Sequence, residues 1–283
     1  MPVLTLGYRH CNRMRPSFLK NSEIEGIAVL ARQQLVDADS DALPLSVLSD
    51  ISGLKINGVV FDLYVGTSHV VHDEEGNPVL GICEYDPGVP DTAMVSVSPV
   101  GEHASEELVL STLGHEIGHA IFDAPGWIVD ASKGPGLFDD PSEAGRRAYR
   151  TTTRDVEHLA RVPPVAESGA TQSASIPGHT FKDLYFAELR ANEFMGSLLV
   201  PRQRLNLAVE ELAPKFGVTI HRSPSVDPEL PGQAIHLTAD GDLGFFDMEC
   251  LQRALATRFG VNRRFIEVRM DRYGLLNSEA KSK

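Results

Sequence analysis

Cysteine is scarce in this chain: Cys11, Cys83 and Cys250 are its three, and they lie far apart. No C-x-x-C pair exists, which excludes a cysteine-rich zinc module and a dithiol redox motif. An odd, sparse count suits a reducing cytosol, so each thiol is expected as a small core residue in a cytoplasmic protein. Cys83, in GICEY, is the one thiol whose thiolate could block an open metal site. Long apolar runs are also missing, so no segment reads as a transmembrane helix. The basic start, MPVLTLGYRHCNRMRPSF, lacks the seven-residue apolar core and small-residue cleavage site of a signal peptide. Positive charge is in deficit: 26 Lys and Arg against 39 Asp and Glu leave a net charge of −13. That argues against binding a phosphate backbone as the main task. Repeats are absent too; LAPKFGV at 212–218 and LATRFGV at 255–261 form one short echo, too isolated for a solenoid.

What the chain does have is LGHEIGHAIF at 113–122, with His115, Glu116 and His119 in the order H-E-x-x-H. Residues four apart share a helical face, so both imidazoles can reach one ion. Glu116 is one step round the helix and flanks the ion as a base for a zinc-held water. Leu108, Val109, Leu113, Ile117, Ala120 and Ile121 supply apolar positions at helical spacing. Ser105 is the expected N-cap, and Pro125-Gly126 the expected stop.

At 283 residues the chain makes one large domain or two small ones. Residues 1–20 read as a loose arm or a pre-helical strap. Helices are expected at 22–35 and 44–51, then strands within 55–65, 79–85 and 93–97, with Asn57-Gly58 as a turn. AMVSVS at 93–98 alternates apolar and polar; left at a sheet edge, it would pair with an extended peptide. Residues 123–180 show little pattern, apart from a possible helix within 140–160 and a Pro/Ser/Gly/Ala-rich stretch that reads as flexible. Their length and their place between the metal histidines and the next helix suggest a lid or self-blocking segment. Helices follow at 181–200 and 204–216. A hairpin about Asp240-Gly241 spans 234–247, and a helix, tight turn and helix fill 249–273.

A catalytic zinc needs a third protein ligand and an open position. A third histidine six residues past His119 would make a metzincin-like site, but that position is Pro125. The remaining candidates are Glu188, in ELRANEF, then Asp123, Glu193 and the insertion with Glu157 and His158. Asn192, one turn after Glu188, is placed to orient a ligand histidine from behind.

The order HEIGH, then Glu188-Leu-Arg-Ala191-Asn192-Glu-Phe194-Met-Gly-Ser-Leu198-Leu199-Val-Pro201, then LATRFGVNRRFIEVRMDRYGLL resembles the ImmA/IrrE family of bacterial metallopeptidases. The similarity covers about 22–122 and 181–275. It implies an α+β protein with a mainly helical, zincin-like core on a small mixed or antiparallel sheet (21–200), and a helix-turn-helix-like C-terminal region (201–283). It implies Zn²⁺ on His115, His119 and Glu188, with Glu116 as base. It further implies a cytosolic endopeptidase that cuts a helix-turn-helix transcriptional repressor and so switches on stress, mobile-element or phage-related genes. Tyr185, Tyr149 and His179 are candidate oxyanion donors. Two departures stand out: the gap from His119 to Glu188 is longer than the family's usual one, and position 123, often histidine in relatives, is aspartate. A different class of function would be a non-proteolytic regulator with a structural ion. It would act through a C-terminal basic cluster of Arg253, Arg258, Arg263, Arg264, Arg269 and Arg272, open to nucleic acid.

Overall fold

The computed structural model describes residues 2–73, 75–101, 104–132, 147–151, 181–225, 233–239 and 243–276. The chain is a mixed α+β protein that divides into two compact units, 1–38 with 44–198, and 39–43 with 199–283. Among the described residues no helix is long and apolar enough to cross a membrane.

The first unit is built on a six-stranded mixed sheet. Strand β1 (Val3–Leu6) runs parallel to β2 (Gly53–Ile56), which turns antiparallel into β3 (Val59–Gly66). The connection is Asn57-Gly58, with φ of 52° and 89°. Two positive φ values in a row match the twist of a two-residue hairpin, and Asn and Gly tolerate them best. Residues 1–20 are therefore no loose arm. β1 is the sheet's first strand, and the Tyr8 hydroxyl donates to the carbonyls of Ile121 (2.8 Å) and Phe122 (3.2 Å).

Two short strands, β4 (Val71–His72) and β5 (Pro78–Val79), form a separate ribbon. The main sheet continues with β6 (Gly81–Tyr85) and β7 (Thr92–Val97). β7 lies between β3, to which it is parallel, and β6, to which it is antiparallel. The AMVSVS strand thus has no free edge, and the peptide-pairing role expected of it fails. Alternation reports which face is buried and says nothing about neighbours. The edge belongs to β8 (Arg147–Thr151), antiparallel to β6 and drawn from the stretch that looked patternless. That strand also takes the place of part of the helix expected within 140–160.

Helix α1 (Asn21–Gln33) and the short α2 (Leu45–Ser49) precede the sheet's hairpin. Helix α3 (Glu106–Phe122) packs on β6 and β7. Ser105 caps it, its Oγ accepting from Leu108 N at 3.3 Å. From Val109 onward every residue of α3 except Ser111 is buried, so the H-E-x-x-H segment lies in the core. α4 (Ala124–Ser132) starts almost at once, and Pro125-Gly126 fall in its first turn instead of ending the fold's helical run. A proline is tolerated there because the first turn leaves its N–H positions unpaired. α5 (Phe181–Leu199) crosses α3 closely: a Cβ on Gly118 would lie 3.0 Å from Ala191 Cα.

In the second unit, α6 (Arg202–Leu212) runs into a single 3₁₀ turn (Ala213–Phe216) closed by Gly217 at φ 69°. β9 (Thr219–Pro224) and β10 (Gln233–Thr238) pair antiparallel. The hairpin expected over 234–247 is corrected: β10 pairs backward with β9, and residues 244–247 open α7 (Gly244–Phe259). Leu251, Leu255 and Phe259, buried at helical spacing, outweigh the Asp-Gly signal, whose two residues lie outside those described. Gly260 at φ 68° turns the chain into α8 (Arg263–Arg272), capped by Asn262 accepting from Phe265 N at 2.7 Å. The basic cluster is largely neutralised in place. Arg253 pairs with Glu249, Arg258 with Asp41 and Glu211, and Arg263 and Arg264 with Glu267. Arg269 is buried over the Tyr273 ring. A phosphate would have to displace these carboxylates.

Candidate metal centre

Helix α3 presents His115 and His119 from successive turns, and their Nε2 atoms are 3.1 Å apart. Helix α5 brings Glu188 to the same point, 3.3 Å from His115 Nε2 (Oε2) and 3.4 Å from His119 Nε2 (Oε1). Among the described residues these three form the one group of His, Cys, Asp and Glu able to hold an ion, with donor atoms within 4.8 Å of one another. Ligands about 2.0–2.1 Å from zinc at the tetrahedral angle stand about 3.3–3.4 Å from each other. The observed separations, 3.1 Å between the imidazoles and 3.3 and 3.4 Å from them to the two different oxygens of Glu188, are close to that value, so two imidazoles and one carboxylate are near enough to share an ion of zinc's size.

The electrostatics ask for a cation at the same place. Burial lowers the pKa of His119, but the Glu188 and Asp123 carboxylates more than reverse this and push it up to about 10. Withdrawal from water raises Glu188, and His119 and His115 outweigh it, holding the carboxyl far below the usual range.

Asp123 has a different role from the ligand considered for it. Its Oδ2 faces His119 Nδ1 at 3.1 Å, on the side away from Glu188's contact, while Oδ1 accepts from Arg190 Nη2 at 3.0 Å. This Arg190–Asp123–His119 chain would fix the ring so that Nε2 could offer its lone pair to an ion held there. Asn192 was expected to orient a ligand histidine; its Oδ1 is buried with no hydrogen-bond partner among the described residues, as is His115 Nδ1. At His119 that place is taken by Asp123, which caps the ligand helix one turn on. Glu193 is also no ligand; it is buried and accepts from the Ser197 hydroxyl. Glu157, His158 and His179 lie outside the described residues. Asp123→Asn is expected to keep the fold and weaken zinc binding roughly 10–100-fold, as outer-shell changes at such sites do; competition against a fluorescent zinc chelator reads it.

Glu116 is fully buried against Gly81, where a Cβ would lie 2.9 Å from its Oε1 and 2.7 Å from Thr112 Cγ2. Thr151 donates to Oε1 at 2.6 Å. Burial raises the Glu116 pKa, against the lowering pull of His115, His119 and that hydroxyl. The Tyr149 ring stacks on His119, 3.9 Å between centroids and 9° from parallel, with Trp127 stacked behind it. Of the oxyanion candidates, Tyr149 thus lies beside a ligand ring, with its hydroxyl unpartnered among the described residues. Tyr185 is partly exposed on α5. Cys83 is buried opposite Tyr149 in the sheet register and is not in the ligand group. Thr151 and Arg190 carried no signal in sequence, because neither lies at motif spacing from the histidines.

The close α3–α5 crossing positions Glu188. Gly118→Ala would press a methyl on Ala191, whose backbone cannot yield without moving α5. Overpacking of this kind costs about 1–3 kcal/mol. Thermal unfolding and a zinc titration should both show a loss, because the third ligand moves with its helix. Set against known proteins, the chain matches no protein-family model, no curated protein and no solved structure.

Proposed function

We propose that this chain is a zinc-dependent endopeptidase with a zincin-like core, of the ImmA/IrrE kind, acting on a protein substrate. The observation that carries the reading is the set of 3.1, 3.3 and 3.4 Å separations among His115 Nε2, His119 Nε2 and Glu188, with Glu116 next to them in the helix. When bound there, zinc supplies Lewis acidity and lowers the pKa of a coordinated water towards neutrality. Glu116 takes the water's proton and hands it to the leaving amine. Asp123 and Arg190 keep His119 in the ligand tautomer. The repressor substrate rests on the family resemblance alone.

A zinc-loaded preparation is tested on a helix-turn-helix repressor encoded beside its gene, with fragments read by mass spectrometry. Cleavage that stops on chelation and returns with zinc is expected; cleavage indifferent to chelator overturns the proposal. One observation favours the second reading, a regulator with a structural ion: Glu116 has 0 % exposure, closed to any substrate.

A further inference from the structure

We propose that β8 is a placeholder for substrate: it occupies the edge of β6 that an extended segment of the target protein takes, and the site opens by exchange of one strand for the other. This rests on the peptidase reading above. The sealed state of the site is its starting point. Glu116, His115 and His119 are 0 %, 2 % and 1 % exposed, whereas the Glu188 side chain keeps 41 % of its surface open. A base that must meet a water beside a scissile carbonyl is of no use while sealed.

β8 supplies the seal. Successive side chains of a strand alternate between faces, so Tyr149 and Thr151 point the same way. One lies flat on a ligand ring and the other donates its hydroxyl to the base. On the opposite face Ala148 joins a small cluster with Val79 and Ile82, and Arg150 lies half-buried. Among the described residues β8 is also outermost, paired only with β6, and it lies between α4 and α5 in sequence. Its departure leaves β1-β2-β3-β7-β6 intact and exposes β6 as an edge. An unpaired edge is a template for an incoming extended chain, whose main-chain groups replace those that left. A substrate segment antiparallel to β6 would then lie with its backbone where residues 148–150 now lie, beside the ion and the released Glu116. The occupant follows from this geometry: a protein segment able to become extended, not a folded surface or a small molecule.

A reversible lock tests the proposal. Glu84 and Ala148 are directly paired across β6 and β8. Directly opposed residues have Cα atoms about 4.5–5.5 Å apart, within disulfide range. The pair faces away from Tyr149 and Thr151, so Glu84→Cys with Ala148→Cys locks the strand without touching the site. Full-length, zinc-loaded double variant is compared oxidised and reduced, using β-casein as an unfolded probe and amide exchange of residues 147–151 against 92–97 as a readout free of catalysis. In the reduced protein, 147–151 should exchange at least tenfold faster than 92–97. Oxidation should close that gap and slow casein cleavage at least tenfold, with recovery on reduction. Equal cleavage in both forms, or exchange in 147–151 as slow as in β7, overturns the placeholder. If neither form cleaves casein or the repressor while exchange still responds to the lock, the strand opens and the peptidase reading is what fails.

Discussion

Glu116→Gln should leave a folded, zinc-loaded protein that turns over substrate about 10²–10⁴-fold more slowly, the usual contribution of a general base. The amide is the same shape as the carboxylate, and its oxygen can still accept from Thr151, so the contact at 2.6 Å survives. Burial already disfavours the charge on this group, which makes a neutral replacement cheap for the fold. What the amide cannot do is take a proton from water. The measurement is kcat of the Glu116→Gln variant against the parent chain, with metal content determined on the same samples. Normal turnover at full zinc occupancy would remove Glu116 from the chemistry.

Glu188→Ala should have the larger effect on the ion itself. It removes the donor that brings α5 to the site and leaves two imidazoles, one short of the three protein ligands a catalytic zinc requires. Zinc affinity should fall by more than the roughly 10–100-fold expected for an outer-shell change. The stabilisation conferred by ligand follows: about 2.7 kcal/mol at a free zinc concentration of 100 Kd for the parent chain. At that same concentration the variant should show almost none of it. Calorimetric unfolding with and without zinc separates this from simple misfolding, since the metal-free melting points of parent and variant need not differ in step. A variant that keeps one tightly held zinc and its full stabilisation would mean that some other group closes the site.

The centre was readable in the chain where local geometry decides it. His115 and His119 share a face because a helix repeats every 3.6 residues, and Ser105 caps that helix as such residues do. Asn57-Gly58 names its own turn. Glu188 was the leading third candidate from its helix and the spacing to Asn192, and the family resemblance named the same residue. Features set by contacts between distant segments were not readable. Five residues, RAYRT, gave no sign of pairing with β6, since pairing depends on a partner that period-2 alternation does not name. Asp123 was weighed as a ligand because sequence cannot tell which imidazole nitrogen a neighbouring carboxylate will meet. The hairpin of the second unit was assigned to the wrong partner for the same reason, with Asp240-Gly241 pointing forward while β10 pairs backward.

Gly118 against Ala191 carries a wider consequence. The carboxylate of Glu188 is aimed by one helix resting on another, although 68 residues separate it in sequence from His119. A foreign domain grafted into that gap should leave the three candidate ligands in place, so long as residues 123–132 and 147–151 are left alone.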